Sequence, residues 1–265
     1  MSYAVLLRWQ DGALSPIDHC DPREYAIEAA DSWLVSDGTV FALSLHKSRF
    51  LDGAARRGFP DVDLEPFWDA AIAVIPREGD WFPRVELQSR AGAPFLLLRH
   101  RSAPELTTTL TVSTHVGPDP RTAPTIKGPD LSAMLHLRSG AQERRADEAV
   151  ILTHDGYLIE GGTTSIVWWR GEILCAPPEE FDRVDSVTAR SLFGLAAALG
   201  VETYREAATP AELGGTEVWA LNALHGIRIV TGWIDGPDLA AAPGRLALWR
   251  SRRVALRKPI DGAVA

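Results

Sequence analysis

Lysine is nearly absent from this chain. Of its 27 basic residues only Lys47, Lys127 and Lys258 are lysines, against 24 arginines. A primary amine, unlike a guanidinium, can form a Schiff base with a carbonyl, so each of the three positions is a candidate for covalent chemistry. Codon bias accounts for the ratio but not for where the lysines fall. Cysteine is scarcer still: Cys20 and Cys175 lie far apart and outside any Cys-x-x-Cys spacing. That excludes a cysteine-rich zinc site and a disulfide scaffold, and both are expected to be reduced thiols in a cytoplasmic protein. No other metal site is expected. No stretch approaches the roughly 20 apolar residues that a spanning helix needs. The first residues, Met1 to Trp9, show neither a basic n-region nor a long apolar run, so no signal peptide is expected. Excess positive charge is missing as well. A formal net charge of −8 argues against nucleic acid or an anionic membrane as the main partner. The short runs Arg56-Arg57, Arg144-Arg145 and Arg252-Arg253 read as solvated faces.

What remains is an ordinary globular composition. The 265 residues are 46% hydrophobic, enough for one large domain or two modest ones. Asp37-Gly38, between Ser32–Val35 and Thr39–Leu43, is a two-residue hairpin signal. Helices are expected over 45–55 and 63–75. Trp81–Leu87, Phe95–Arg99 and Leu106–Val112 are expected to form one antiparallel sheet. From 117 to 124 the sequence Gly-Pro-Asp-Pro-Arg-Thr-Ala-Pro suits neither a helix nor a strand interior. It is the best interdomain linker in the chain. Beyond it come a helix over 131–146, strands at 148–153, 157–160, 165–169, 171–175, 218–222 and 227–234, and a helix over 187–199 closed by Gly200. A last helix is expected over 243–256. The expected fold class is α/β (α+β).

The chemistry-bearing motifs follow the linker in a distinctive order. Thr125-Ile126-Lys127 precedes a helix, and Asp147-Glu148-Ala149 then opens a strand. Asp155-Gly156-Tyr157-Leu158-Ile159-Glu160-Gly161 follows, with the small hydroxylic residues Thr163, Thr164 and Ser165 behind it. Asp185-Ser186-Val187-Thr188 stands at a helix start, and Glu217 to Ile227 closes the series through Asn222-Ala223-Leu224. Glu160 lies 33 residues after Lys127, and Thr188 another 28 after Glu160. This ordered set resembles the class IV aminotransferase family, the fold-type IV enzymes dependent on pyridoxal 5'-phosphate (PLP). The resemblance covers residues 125–235 well and the N-terminal third weakly.

The resemblance implies a role for each matching residue. Lys127 would carry the cofactor as an imine and shuttle a proton at the substrate's Cα. Glu160 would hold the pyridine nitrogen protonated, so that the ring can act as an electron sink. The phosphate would rest on the amides of Val187 and Thr188 at a helix N-terminus, with the Thr188 hydroxyl beside them. Arg49, in His46-Lys47-Ser48-Arg49-Phe50, matches the family's H-x-x-R-[LF] and would reach the phosphate from the small domain. Arg190 would face away. Thr163 and the Asn222-Ala223 segment complete the expected cofactor set. The implied architecture is a small domain over 1–117, a linker over 118–124 and a larger domain over 125–265, with PLP in the cleft and the protein acting as a homodimer.

The substrate half of the pattern is not identified. The stretch Ala26–Val35 departs from the family's GDGVFET, and Gly128-Pro129-Asp130 follows the lysine where Asn-Tyr is common. The leading expectation is 4-amino-4-deoxychorismate-lyase-like elimination with release of pyruvate, because Asn222-Ala223-Leu224 and the short chain resemble the lyase branch. A true transaminase acting on a small amino substrate is the alternative. A PLP-binding protein without turnover is the third.

Overall fold

The computed structural model describes residues 4–17 and 25–262, and Cys20 lies outside them. The chain divides into two compact units. One holds the residues up to Leu106, Ile126–Pro129 and the residues from Val254 onward. The other holds Thr107–Thr125 and Asp130–Arg253.

The first unit contains strands β1 (Ala4–Gln10), β2 (Ala13–Pro16), β3 (Ala26–Ser32), β4 (Val35–Ser36) and β5 (Thr39–Val40), then helices α1 (Leu43–Arg56) and α2 (Glu65–Ala73), then β6 (Asp80–Trp81), β7 (Arg84–Arg90) and β8 (Ala93–Arg101). Five strands form an antiparallel sheet in the order β2-β1-β8-β7-β3. Side chains alternate across it, as a pleated strand requires. Val85 pairs with Leu98 and Leu87 with Leu96, and all four are buried with Phe50 and Ala54 of α1 and Phe67, Trp68 and Ala71 of α2. The opposite face of β7 and β8 carries Arg84, Glu86, Gln88, Arg99 and Arg101. Asp37 and Gly38 both take positive φ, 45° and 68°, closing the β4–β5 hairpin as the Asp-Gly dipeptide predicts. Trp33 packs on Trp68 with ring centroids 4.8 Å apart.

The second unit contains β9 (Thr109–Thr114), α3 (Leu131–Glu143), β10 (Glu148–Leu152), β11 (Leu158–Gly161), β12 (Ser165–Arg170), β13 (Ile173–Ala176), α4 (Val187–Ala198), β14 (Thr203–Arg205), β15 (Glu217–Asn222), β16 (Gly226–Ile234) and α5 (Pro243–Val254). Its eight-stranded mixed sheet runs β11-β10-β9-β16-β15-β12-β13-β14. One face packs Trp219, Leu221, Ile227 and Ile229 against Leu192 and Ala196 of α4 and Leu246 and Trp249 of α5. The alternate residues Val218, Ala220 and Val230 pack on the other side with Val112, Val150 and Leu158. Trp169 lies 5.3 Å from Trp219 and 5.5 Å from Trp249, ring centre to ring centre. A short strand β17 (Lys258–Pro259) returns to the first unit and pairs with β5.

Two expectations are corrected. The strand at 109–114 does not join the antiparallel sheet of the first unit. It pairs in parallel with β10 and β16, partners that lie far along the chain. Residues 118–124 are likewise not a free linker. Thr122 N–H (2.8 Å), the Thr122 hydroxyl (2.8 Å) and Ala123 N–H (2.9 Å) all donate to the Asp130 carboxylate, which fastens this stretch inside the second unit. The unit boundary therefore falls after Leu106, and residues 126–129 belong with the N-terminal elements rather than with 130 onward.

That short return is tight. The Lys127 carbonyl accepts the Ala30 N–H at 2.7 Å, and Gly128 sits at φ 136°. A Cβ at Gly128 would lie 2.7 Å from Ala30 N and 2.8 Å from Ala29 C, both backbone atoms that cannot turn aside. Gly128→Ala is expected to cost on the order of 2 kcal/mol or more, from the forced left-handed backbone together with the clash. Thermal melting should show this as a loss of about 4–8 °C. An unchanged midpoint would mean that this backbone contact does not form.

Candidate active site

In the first unit the side chains gather around one carboxylate. Asp31, at the end of β3, is wholly buried. It accepts its neighbour Ser32 N–H at 2.7 Å and lies 2.7 Å from His46 Nδ1. It also accepts the Arg49 guanidinium as a fork, Nε at 2.7 Å and Nη2 at 2.9 Å. His46 and Arg49 are three apart on α1, which puts them on one face of the helix. Burial alone would push the Asp31 carboxyl up, but Arg49 and His46 outweigh it and hold the group far below the usual carboxylate range. His46 is driven toward its neutral form by burial, against the pull of Asp31, and the charges of Arg49 and Lys127 act in the same sense as burial. Lys127 is thus electrostatically coupled to the same cluster. Sequence reasoning found Arg49 and Lys127 but missed Asp31. Its signal was an acidic residue within the apolar run Ala29-Ala30-Asp31-Ser32-Trp33.

The polar face of the sheet in this unit forms a second cluster. Glu86 is fully buried and takes hydrogen bonds from Arg84, Arg99 and Gln88. Arg101 donates to the Phe82 carbonyl at 2.7 Å and lies over the Phe82 ring. Burial, then repulsion from Arg84 and Arg99, brings its pKa down to about 10. Two guanidinium groups, those of Arg84 and Arg99, therefore share the Glu86 carboxylate, and Arg101 lies near enough to feel their repulsion. The sequence had left the arginines for a substrate carboxylate unplaced.

In the second unit Glu160 is buried at the end of β11. Its carboxylate is held by Nη1 of Arg121, whose Nε and Nη2 bind Asp119. Arg121 is itself sealed, with 3% of its side chain exposed. Burial works against its charge, and Asp119 and Glu160 more than compensate. Arg121 belongs to the stretch taken from sequence as linker, where nothing marked it as a site residue. A Cβ at Gly161 would lie 2.3 Å from the Thr164 hydroxyl, 3.2 Å from the Glu148 side chain and 3.3 Å from the Ala149 carbonyl, so glycine keeps this crowded turn free of strain. Thr163 donates its N–H, at 3.1 Å, and its hydroxyl to Glu148, whose carboxyl is pushed up by burial. Thr163 thus fixes the turn behind Glu160.

The start of α4 leaves backbone donors open. The Ser186 hydroxyl accepts Ala189 N–H at 3.2 Å, capping the helix. Among the described residues the amides of Val187 and Thr188 have no hydrogen-bond partner, and neither has the hydroxyl of Thr188, although that residue is 3% exposed. Arg190 points to the surface beside Asp185 at 3.7 Å, as expected. At the end of β15, Asn222 Oδ1 accepts His225 N–H at 2.8 Å, so this side chain shapes the turn that presents Ala223. A cavity of about 440 Å³ lies by α4 in this unit, lined among others by Thr125, Ser165, Arg183, Ser186 and Arg205. Arg183 is pinned there by the carbonyls of Pro177, Pro178 and Phe181.

Comparison with known proteins decides the family. The model of the class IV aminotransferases matches residues 28–233. This chain belongs to that family. No curated protein matches it in sequence. Among solved structures it is similar to a branched-chain aminotransferase from Thermoproteus uzoniensis, with TM-score 0.81 and 16% identity over 97% of this chain and 99% of that one. It is similar also to the fold IV-transaminase CpuTA1 from Curtobacterium pusillum, with TM-score 0.79 and 18% identity over 95% and 97%. The PLP-bound form of a hypothetical aminotransferase from Mycobacterium tuberculosis gives TM-score 0.76 and 17% identity over 99% of both chains. The fold is that of fold-type IV, and class IV aminotransferases are PLP enzymes.

The residues present fit that cofactor. Unused amides and a buried hydroxyl at a helix N-terminus suit a phosphate, and a buried carboxylate backed by an arginine suits a pyridinium nitrogen. Among the described residues no group of histidine, cysteine and acidic side chains could hold a metal ion, and no helix is long and apolar enough to cross a membrane.

Two expected outcomes follow from this geometry. Because the Asp31 pKa is lower in the folded chain than its ordinary 3.8, its stabilising contribution is full above that value and is lost as the pH falls below it. Asp31→Asn should therefore flatten the acid limb of a stability–pH profile below pH 4. A limb of unchanged steepness would show that other groups govern it. Thr188→Val, which keeps the shape and removes the hydroxyl, should weaken PLP binding by roughly 3–10-fold in a cofactor titration. Unaltered affinity would remove Thr188 from the phosphate site.

Proposed function

We propose that this class IV enzyme catalyses a 4-amino-4-deoxychorismate-lyase-like elimination, breaking a C–O bond of an amino substrate and releasing pyruvate. The observation that carries the reading is the Asn222-Ala223-Leu224 turn, folded by the Asn222 side chain, at the position where the resemblance points to the lyase branch.

When bound, PLP supplies an electron sink for the carbon that bears the amino group. The chain supplies the rest. Lys127 anchors the cofactor's aldehyde carbon, takes the proton from the substrate's Cα and returns a proton as pyruvate leaves. Glu160 keeps the pyridine nitrogen protonated, and the hydrogen bond from Arg121 orients Glu160 for that task. Val187, Thr188 and the turn at Asn222-Ala223 bind the phosphate on one side. Arg49, the arginine of the family's H-x-x-R motif, is the cation we assign to the phosphate. The arginine surplus around Glu86 suits a substrate that carries carboxylates. We include in this reading a homodimer as the working form.

A transaminase is the second reading. The Arg84–Arg99–Arg101 face favours it equally, since a 2-oxo acid acceptor is a carboxylate too. In that case Lys127 moves the proton from Cα to the cofactor's C4' instead of serving an elimination.

Supplying aminodeoxychorismate in one arm and a panel of amino donors in the other separates the readings. The lyase reading expects stoichiometric pyruvate with no pyridoxamine form of the cofactor. Accumulation of that form with an amino donor, and no pyruvate, overturns it in favour of the transaminase. Borohydride reduction and peptide mass mapping should place the pyridoxyl group on Lys127, and a label on Lys47 or Lys258 would refute the assignment. Glu160→Gln should retain PLP but lose on the order of 10²–10⁴ in rate, because a neutral amide cannot hold the pyridinium proton. A near-normal rate would mean that another group serves the ring nitrogen.

A further inference from the structure

The cavity of about 440 Å³ beside α4 falls within the size range of small-molecule sites, roughly 300–1,000 Å³. Its wall belongs to the second unit: the ends of β12, β13 and β14, the segment 177–185 and one face of α4. Lys127, Glu160, Thr188, Asn222 and Ala223, all assigned to the cofactor, do not line it. It is a separate space.

Part of the wall is apolar. Ile159, Val167 and Ala176 are buried there, and the rings of Phe181 and Phe193 join them. The Arg205 guanidinium lies over the Phe193 ring, 4.1 Å from its centre, which keeps that cation against the wall.

Charge differs between the mouth and the interior. Glu179, Asp182, Asp185 and Arg190 are exposed. Glu179 lies 3.9 Å from Arg205, and Asp185 lies 3.7 Å from Arg190, so these four offset one another in solvent. Arg183 is half-buried, and among the described residues no carboxylate lies within ion-pair distance of it. Neutral groups hold it instead. Its Nη1 donates to the carbonyls of Pro178 and Phe181, and its Nη2 to that of Pro177 at 3.0 Å. The Nε–H and one N–H of Nη2 remain for another acceptor. Burial and then Arg205 work against the charge of Arg183, and Glu160 and Glu179 favour it by less, so its pKa is lowered. A fixed cation in such surroundings gains from an anion brought to it.

Two hydroxyls add to the polar side. The Ser186 oxygen accepts Ala189 N–H, which leaves its proton to donate, and the Ser165 hydroxyl makes no hydrogen bond among the described residues.

We infer that this cavity binds a small carboxylate carried on an apolar ring, with the carboxylate toward Arg183, Ser165 and Ser186 and the ring on the Ile159–Val167–Phe193 wall. A bare inorganic oxyanion would leave that wall wet, and an uncharged ring would leave Arg183 without a counter-charge. The inference lies beyond the reaction itself and stands whichever reaction the enzyme catalyses.

The test follows thermal melting of the PLP-loaded enzyme at constant ionic strength. Benzoate is the probe. Benzamide keeps the ring without the charge, and acetate keeps the charge without the ring. Benzoate should raise the midpoint by about 3–5 °C near saturation, and each control by less than about 1 °C. Ala189→Phe fills the space from α4 and removes no polar group. It should abolish the rise while the cofactor's visible band and PLP affinity stay unchanged. Ser165→Ala should raise the benzoate concentration required at least threefold. Arg183→Met should abolish the rise as well. Because that change also frees three carbonyls, a lowered midpoint in plain buffer leaves the decision to Ala189→Phe and Ser165→Ala. The inference is overturned if benzoate does not shift the midpoint, or if benzamide or acetate matches it. A full rise that survives in both Ala189→Phe and Ser165→Ala places the benzoate elsewhere and overturns it too.

Discussion

The Asp31 carboxylate is closed off from water on every side, and a charge in that position must be met by donors fixed in place. The chain meets it from three directions at once: its own backbone at Ser32, and His46 and Arg49 one helical turn apart on α1. Satisfying that one group joins β3 to α1 and sets the orientation of the Arg49 fork. The adjoining residue, Ala30, donates to the carbonyl of Lys127, so the same end of β3 also carries the return segment 126–129. The lysine proposed to anchor the cofactor and the arginine proposed for its phosphate are thereby referred to a single strand end. Loss of the carboxylate would release the Arg49 fork directly and disturb the Lys127 segment through the backbone.

The second unit solves a similar problem with a different device. The carboxylate proposed for the ring nitrogen, Glu160, is buried where a lone charge would be expelled, and Arg121 stabilises it from a loop held by Asp119 and Asp130. Glu148 lies behind the same turn and anchors Thr163. Glycine at 161 leaves room for the chain to fold back over these groups. Polar residues here serve each other in layers: Glu148 and Glu160 stand at the ends of β10 and β11, and Asp119, Arg121 and Thr163 lie in the irregular segments beside them. The regular elements provide the apolar support, with Trp219, Leu221 and Ile229 on one side of the sheet and Val218, Ala220 and Val230 on the other.

What could be read from sequence and what could not divide along a physical line. Local rules sufficed for the Asp37-Gly38 hairpin, for α4 with its Ser186 start and Gly200 stop, and for the alternating strands of the second unit. The motif order identified the family, which the comparison bears out. Failures came where a residue's partner lies far along the chain. The strand at 109–114 looks like a continuation of the strands before it, because alternation reveals a strand but not its neighbour. Its partners are β10 and β16. The proline-rich stretch 117–124 has a linker's composition, and only the three-dimensional fold reveals that Asp130 and Glu160 hold it. Asp31 and Arg121 were invisible for the same reason. Each acts through an ion pair whose other half is 15 to 39 residues away, and no spacing rule encodes that.

Each unit also contains its own closely packed indoles: Trp33 on Trp68 in one, and Trp169 with Trp219 and Trp249 in the other. At 4.8 to 5.5 Å and with inclined planes, the aromatic transitions of such neighbours couple, and the coupling weakens steeply as the rings separate. The interplanar angles differ, 36° in the first pair against 71° between Trp169 and Trp219, so the coupled bands of the two clusters have different circular-dichroism shapes. The molecule therefore carries two built-in optical reporters, one for the packing of each unit, in the ultraviolet and clear of the visible band that a bound pyridoxal contributes.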